Sequence, residues 1–403
     1  MGEMLYLFNP ENDMALAANN PFYMSPASTK RMAAELSTLP AWYAVEGSSV
    51  LIAPCALGFE KQSALMPDVK WATEISSIYN KVCPWGWNPA LLRRLWERGV
   101  PDSAFPSAKQ MERIRELSGR QTAVELLLRM NELQWSKVFA TSLEREGECF
   151  SSFCGESNLL TTVSEVERYV LSHPEAVLKS PWSGSGRGIQ YTSGEFPLPL
   201  KGWVEHVLHT QQTVVGEPLY NKVNDFAMEF YATADGEVRF VGYSFFETDI
   251  RGIYKENLLA SDDEIEKLLT AYVSITTLRR VRENLILLLK EKLKGDYQGY
   301  LGVDMMICRT VSGYAVHPCV EVNLRMNMGV VSRLIFDKYI CAGAKGRFVI
   351  EYYRNPGEAQ RIHRELQQQY PLLLENNRIM SGYLSLTLVS DETAYQAYVV
   401  VYK

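Results

Sequence analysis

The sequence predicts an α/β protein with α+β elements, and three observations carry that prediction. Residues 1 to about 110 alternate apolar strand-like runs with helix-like runs, as a parallel sheet with crossover helices would. A lysine at the end of an apolar run, Val177-Leu178-Lys179, leads directly into Ser183-Gly184-Ser185-Gly186-Arg187-Gly188. Further on, two apolar runs flank the turn Thr310-Val311-Ser312-Gly313, and both carry carboxylates.

Leu5 to Phe8 reads as a short buried strand ending in the polar turn Asn9-Pro10-Glu11-Asn12-Asp13. Ligands of open α/β sheets bind beyond the carboxyl ends of strands, so this turn is a candidate substrate loop. Ser25 to Leu39 is helix-like and Ser49 to Pro54 strand-like. Asn88 caps a helix over Ala90 to Arg98, Pro89 suits its first position, and Gly99 ends it. Trp85 and Trp87 read as packing residues.

Lys109 to Met130 is helical with an interruption at Ser118-Gly119-Arg120, and Ser136 to Phe153 has no clear period. Val163 to Ser172 reads as a helix capped by Thr162. Val204 to Leu208 and Gln212 to Glu217 read as extended, and Asp225 to Ala232 as a strand that turns at Asp235-Gly236 into Val238 to Phe246. Ser261-Asp262-Asp263-Glu264 has the spacing of a capping box. Leu278, Val281, Leu285 and Leu289 share one face of a helix that stops at Gly295. In the tail, Glu358 to Gln369 is helix-like, and Tyr383 to Val389 and Ala397 to Tyr402 are strand-like.

The lysine-glycine stretch is a phosphate loop of neither of the two commonest kinds. Small residues let the backbone approach a ligand, and consecutive N–H groups suit phosphate oxygens. A Walker loop places its lysine after the glycines, and a dinucleotide fingerprint needs a glycine where Ile189 stands. The residues after Ile189 include Gly194 and Pro197 and read as strand and turn, which puts Lys179 and the glycines on a hairpin.

Glu321, Asn323 and Arg325 alternate on one strand face. Pairing Arg309 with Tyr314 across the turn sets Glu321 opposite Gly302, with Asp304 diagonally beside it on the same face. Two carboxylates and an amide oxygen are hard ligands of the kind that magnesium shares with nucleotide phosphates. An acid inside Leu-Gly-Val-x-Met-Met-Ile is expensive to bury without a partner or a metal.

The two stretches in this order resemble the ATP-grasp superfamily: Val177-Leu178-Lys179, the glycine loop, Gly302-Val303-Asp304, then Glu321-Val322-Asn323-Leu324-Arg325. The resemblance covers roughly residues 110 to 345 and is most specific at the Glu-x-Asn-x-Arg segment. It implies an ATP-grasp fold: an N-terminal parallel α/β domain (1–110), a lid subdomain (111–216), a central antiparallel-sheet subdomain (217–345) and a C-terminal extension (346–403). It further implies ATP with magnesium, or manganese in its place, as cofactors of a ligase that activates a small-molecule carboxylate as an acyl-phosphate for an amine. A kinase-like phosphotransferase and a non-catalytic nucleotide-binding protein are the alternatives.

By the same resemblance Asp304, Glu321 and Asn323 would hold the metal, and Arg325 would stabilise the transferring group. Lys179 with Ser183, Gly184, Ser185 and Gly186 would cover the phosphates, and Arg120 stands where a lysine is usual. Glu217 and Leu219 would meet the adenine edge and Asp225 the ribose. Arg251 is a candidate for the substrate carboxylate, because a guanidinium fork suits that role.

Composition excludes other classes. A net charge of −6 with no long basic run leaves no electrostatic footprint for nucleic acid. No apolar stretch approaches the ~18 residues of a membrane span. Seven scattered cysteines without a CxxC pair indicate neither a zinc site nor a disulfide framework, and fit a reducing, cytoplasmic setting. A homo-oligomer is compatible with all of this.

Overall fold

The computed structural model describes residues 3–135, 153–183, 188–248 and 254–402. The chain forms two compact units: Met1–Glu112, Tyr243–Ile265 and Arg325–Lys403 make unit 1, and Arg113–Gly242 and Glu266–Leu324 make unit 2. Residues 243–265 group with the tail because their strand pairs with residues 346–349.

Unit 1 opens with β1 (Glu3–Leu7), α1 (Asn12–Ala18), α2 (Ala27–Glu35), β2 (Ser49–Leu51), β3 (Lys70–Ala72), β4 (Tyr79–Pro84) and α3 (Pro89–Glu97). The strands are parallel in the order β3-β2-β1-β4. Leu5 and Leu7 pack with Val82, Leu91 and Leu95, whereas Tyr6 packs with Val50 and Ile52. A strand covered on both faces reads as a continuous apolar run, which is how β1 is written. Asn88 caps α3 by accepting the Leu91 N–H at 2.9 Å, Pro89 is its first residue, and Gly99 has φ +72°. Trp85 packs edge-on against Phe8 at 4.9 Å. The polar turn is shorter than expected, because α1 already begins at Asn12, and Asp13 in its first turn favours the positive end of the helix.

In unit 2, α4 (Ala108–Leu117) and α5 (Arg120–Trp135) break where Ser118 and Gly119 stand. Then come β5 (Asn158–Leu160), α6 (Val163–Ser172), β6 (Ala176–Lys179), β7 (Ile189–Thr192), α7 (Leu198–Gln211) and β8 (Val214–Pro218). The strands form a small antiparallel sheet in the order β5-β8-β6-β7. Thr162 and Glu165 make a reciprocal capping box at α6. The expectation that Val204 to Leu208 is extended is wrong. These residues lie in α7, where Val204 and Val207 are buried with Val166 and Val170. Packing at three-residue spacing outweighs the weak preference of valine for strands.

The chain continues through β9 (Lys222–Ala232), β10 (Val238–Thr248), β11 (Tyr254–Leu259), α8 (Asp262–Leu269), α9 (Ile275–Leu293), β12 (Gly299–Thr310) and β13 (Gly313–Asn323). β12 lies between β9 and β13 and is antiparallel to both. Leu278, Val281, Leu285 and Leu289 are fully buried on α9, which packs on α5. The last stretch of unit 1 contains α10 (Met328–Tyr339), β14 (Lys345–Tyr352), α11 (Glu358–Gln369), β15 (Leu373–Glu375), β16 (Arg378–Ser385) and β17 (Tyr395–Tyr402). Here β11-β14-β17-β16-β15 are neighbours in order. Thr38 and the Trp42 indole both donate to the Leu386 carbonyl, at 3.0 and 2.8 Å, and join the first and last stretches of the unit.

Candidate active site

Unit 2 gathers most of the residues singled out from sequence. Lys179 ends β6, and its neighbour β8 carries Glu217. The lysine Nζ donates to Glu217 Oε2 at 2.6 Å, and Ser157 Oγ donates to the other carboxylate oxygen at 3.1 Å. Both charged side chains are more than nine-tenths buried. Such a pair is stable only while both partners remain, so a ligand that drew off the lysine would have to compensate Glu217. β6 and β7 form the expected hairpin, with the Ser180 N–H donating to Gly188 O at 2.9 Å. Gly184, Ser185 and Gly186 of the loop lie outside the described residues, as does Arg251.

Arg120 is the first residue of α5 and is 5% exposed. Its Nη1 donates to Ser180 O and Ser183 Oγ, both at 2.6 Å, and its Nη2 donates to Glu321 Oε1 at 3.1 Å. The backbone N–H of Arg120 donates to Pro181 O at 3.0 Å. One guanidinium thus ties the start of the glycine loop to a carboxylate of the larger sheet. A planar fork serves this bridge better than the point charge of a lysine.

The carboxylates meet differently from the sequence-derived register. Arg309 pairs with Tyr314 as expected, but Asp304 lies directly opposite Glu321, and Gly302 opposite Asn323. Between Asp304 and Met306 the register shifts by two, at a bulge in the partner strand that contains Pro318. Proline has no N–H for a ladder, so a bulge is where a strand accommodates it. A shift of two preserves the side-chain face, whereas a shift of one would have reversed it. Val303, Met305 and Ile307 are buried, while Asp304 is only half-buried on the other face.

Asn323 Nδ2 donates to Asp304 Oδ2 at 3.0 Å, which turns the Asn323 carbonyl oxygen away from that carboxylate. The two facing carboxylates fit a hard dication that takes its other ligands from phosphates, and Asn323 would join them through its oxygen with its amide turned over. Among the described residues no cluster of three or more His, Cys, Asp or Glu could hold a metal by protein groups alone.

Two residues that sequence reasoning passed over lie within this constellation. Cys319 is buried, and its thiol pKa is raised chiefly by that burial, then by the charges of Glu217 and Asp304 and, to a smaller extent, Glu321. His317, on β13, is fully buried with its pKa held down at about 4, again by burial first. A period-2 count back from Glu321 puts His317 on the same strand face, and the pairing of Met306 with His317 agrees, because the shift is of two residues.

Three further expectations meet different surroundings. The Leu219 N–H donates to Glu175 O at 3.1 Å. Asp225 is paired with Lys222 three residues before it. Arg325 belongs to unit 1, where its Nε and Nη2 bind Asp13 bidentately at 2.8 and 2.7 Å. In the same unit Asn9 and Gly86 exchange hydrogen bonds at 2.8 and 3.3 Å, and Asn88 donates to Asn12 at 3.1 Å. The Met326 N–H donates to Trp85 O at 2.9 Å. Burial raises the pKa of Glu11 in this turn.

The described cysteines are all free, and among the described residues no helix is long and apolar enough to cross a membrane. No family model and no curated protein matches the chain. Solved structures do. Biotin carboxylase from Campylobacter jejuni, in a complex with β,γ-ATP, aligns at TM-score 0.52 and 10% identity over 99% of this chain and 87% of its own. N5-carboxyaminoimidazole synthetase from Staphylococcus aureus, complexed with ADP, aligns at TM-score 0.51 and 10% identity over 100% of this chain and 94% of its own. At such identity the likeness is one of fold, and the chain has the ATP-grasp fold that its motifs led us to expect.

Proposed function

We propose that the chain is an ATP- and magnesium-dependent ligase that activates a small-molecule carboxylate for attack by an amine, releasing ADP and phosphate. The observation that carries this reading is the Arg120 bridge, which brings the start of the glycine loop and Glu321 onto one guanidinium, with Lys179 on the strand leading into that loop. Lysine and arginine supply the positive charge that phosphoryl transfer asks of a protein, together with fixed positions. Asp304, Glu321 and Asn323 would hold magnesium, which when bound neutralises phosphate oxygens. Asn323 orients Asp304, and Arg120 orients Glu321.

In the reaction a substrate carboxylate oxygen attacks the γ-phosphorus, and the bond to the bridging oxygen breaks to release ADP. The amine nitrogen then attacks the acyl carbon, phosphate leaves, and the nitrogen loses a proton. We assign a carbon substrate to the carboxyl ends of β1 and β4 in unit 1, where the strand order β3-β2-β1-β4 reverses direction. Asn9, Asn12, Asp13 and Asn88 are held in place there by the hydrogen bonds described above.

The test is a screen of metabolite pools for magnesium-dependent ADP release, followed by hydroxylamine trapping with the acid identified. A hydroxamate supports the ligase, and a stable phosphorylated product points to a kinase. If no pool gives ADP release or ATP binding, both enzyme readings fail.

A further inference from the structure

Next to the carboxylates, one row of the larger sheet carries an acid, a thioether and an imidazole side by side. Met306 pairs with Asp225 on one side and with His317 on the other. Directly paired residues share a face, so all three lie on the face of Asp304 and Glu321. At the centre is a partly exposed thioether, a polarisable surface for an aromatic ring, and an acid and an imidazole stand on either side.

His317 is the unusual member of that row. Neither Nδ1 nor Nε2 has a hydrogen-bond partner, and among the described residues no other side chain has two buried polar atoms in that condition. With its pKa near 4 the imidazole is neutral at pH 7, so it holds one N–H donor and one lone pair, and the only hydrogen-bonding group acting on the ring is the backbone of His317 itself. Buried polar groups nearly always have partners, and an orphan in a native protein calls for a ligand, a water or a second conformation. The neighbouring groups do not provide one. Tyr220 stands edge-on at 5.2 Å, but its hydroxyl already accepts the Glu156 N–H at 2.7 Å. Lys179 and Glu217 act on the ring only through their charges, and they bind each other.

We propose that His317 is a base-contacting residue: when Tyr220 turns aside, one ring nitrogen hydrogen-bonds the heteroaromatic ring of a purine nucleotide that lies over Met306. This inference rests on the nucleotide reading of the unit 2 site and adds which residue recognises the base. A neutral imidazole contributes little to binding phosphate beside Lys179 and Arg120, and it matches the ring nitrogens and amino groups of a base. Gly155 packs closely on the other side of the ring, where a methyl group would come within 3.2 Å of Nε2.

The experiment compares magnesium ATP with magnesium tripolyphosphate, which lacks base and ribose, on the full chain by titration calorimetry. His317→Leu is expected to weaken ATP at least about tenfold, the loss of one buried hydrogen bond. Tripolyphosphate binding should change less than twofold, and His317→Gln should recover part of the ATP affinity. The midpoint of thermal unfolding without ligand should not fall, because the substitution removes two orphaned polar atoms. Equal weakening of both ligands, unchanged ATP affinity, or a lowered ligand-free midpoint in both variants would each overturn the proposal in favour of a structural role. If the unsubstituted protein binds tripolyphosphate but not ATP, the base contact fails while the phosphate site stands. If it binds neither, the nucleotide reading itself has failed.

Discussion

Replacing Arg120 with methionine keeps most of the volume and removes the bridge between the glycine loop and Glu321. Three side-chain hydrogen bonds are lost, at 2.6, 2.6 and 3.1 Å. A hydrogen bond to a charged group contributes about 1.5–3 kcal/mol. The Ser180 carbonyl is buried and is left without this donor, whereas Glu321 is 30% exposed and regains water, so its share must be discounted. The structure therefore supports a loss of ~2–4 kcal/mol for Arg120→Met, and of ~1–2 kcal/mol for Arg120→Lys, which keeps charge but not the fork. Urea unfolding of the single variants and of Arg120→Met/Glu321→Gln measures both the cost and the coupling. The pair should show ~0.5–1.5 kcal/mol of non-additivity. ADP release should fall in Arg120→Met at saturating magnesium. An unchanged midpoint, or strictly additive single effects, would refute the bridge as a structural and functional link.

Four other outcomes are expected. Glu321→Ala should abolish magnesium-dependent ADP release while circular dichroism shows the fold intact; an unfolded variant would mean that the carboxylate serves the sheet instead. Lys179→Ala should weaken ATP binding and, by leaving Glu217 buried and uncompensated, cost ~3–5 kcal/mol in urea unfolding. Lys179→Met/Glu217→Gln should recover most of that stability but not the binding, and a double variant as unstable as the single one would contradict the pairing. His317 titrates near 4 in the folded chain against 6.5 in the unfolded one, so the unfolded state binds the proton first. Stability should thus fall as pH drops from 6.5 towards 4, by at most ~3 kcal/mol from this residue, and the fall should flatten in His317→Leu. Finally, a β-carbon at Gly86 would lie 2.4 Å from the Asn12 side chain, so Gly86→Ala should disturb the amide cluster and raise KM for the carbon substrate more than it lowers kcat. Equal effects on both would place that substrate elsewhere.

Much of this architecture is decided by local chemistry and is legible without coordinates. The Asn88 cap, the Thr162–Glu165 box, the apolar face of α9 and the doubly buried β1 each depend on residues a few positions apart, where period and capping rules act. The alignment of Lys179, Asp304, Glu321 and Asn323 with one recognisable motif order is also a property of the chain alone. Other features required tertiary structure. Val204 to Leu208 are β-branched enough to read as a strand, yet a helix buries them better against α6. The two-residue shift at Pro318 cannot be counted from a turn, because the turn sets the pairing only as far as the bulge, and a proline marks an interruption without stating how many residues it inserts. The Arg120 bridge and the Arg325–Asp13 fork join residues 201 and 312 positions apart. Long-range partners of this kind are selected by the folded backbone, since nothing in the local sequence of an arginine states which carboxylate it will meet.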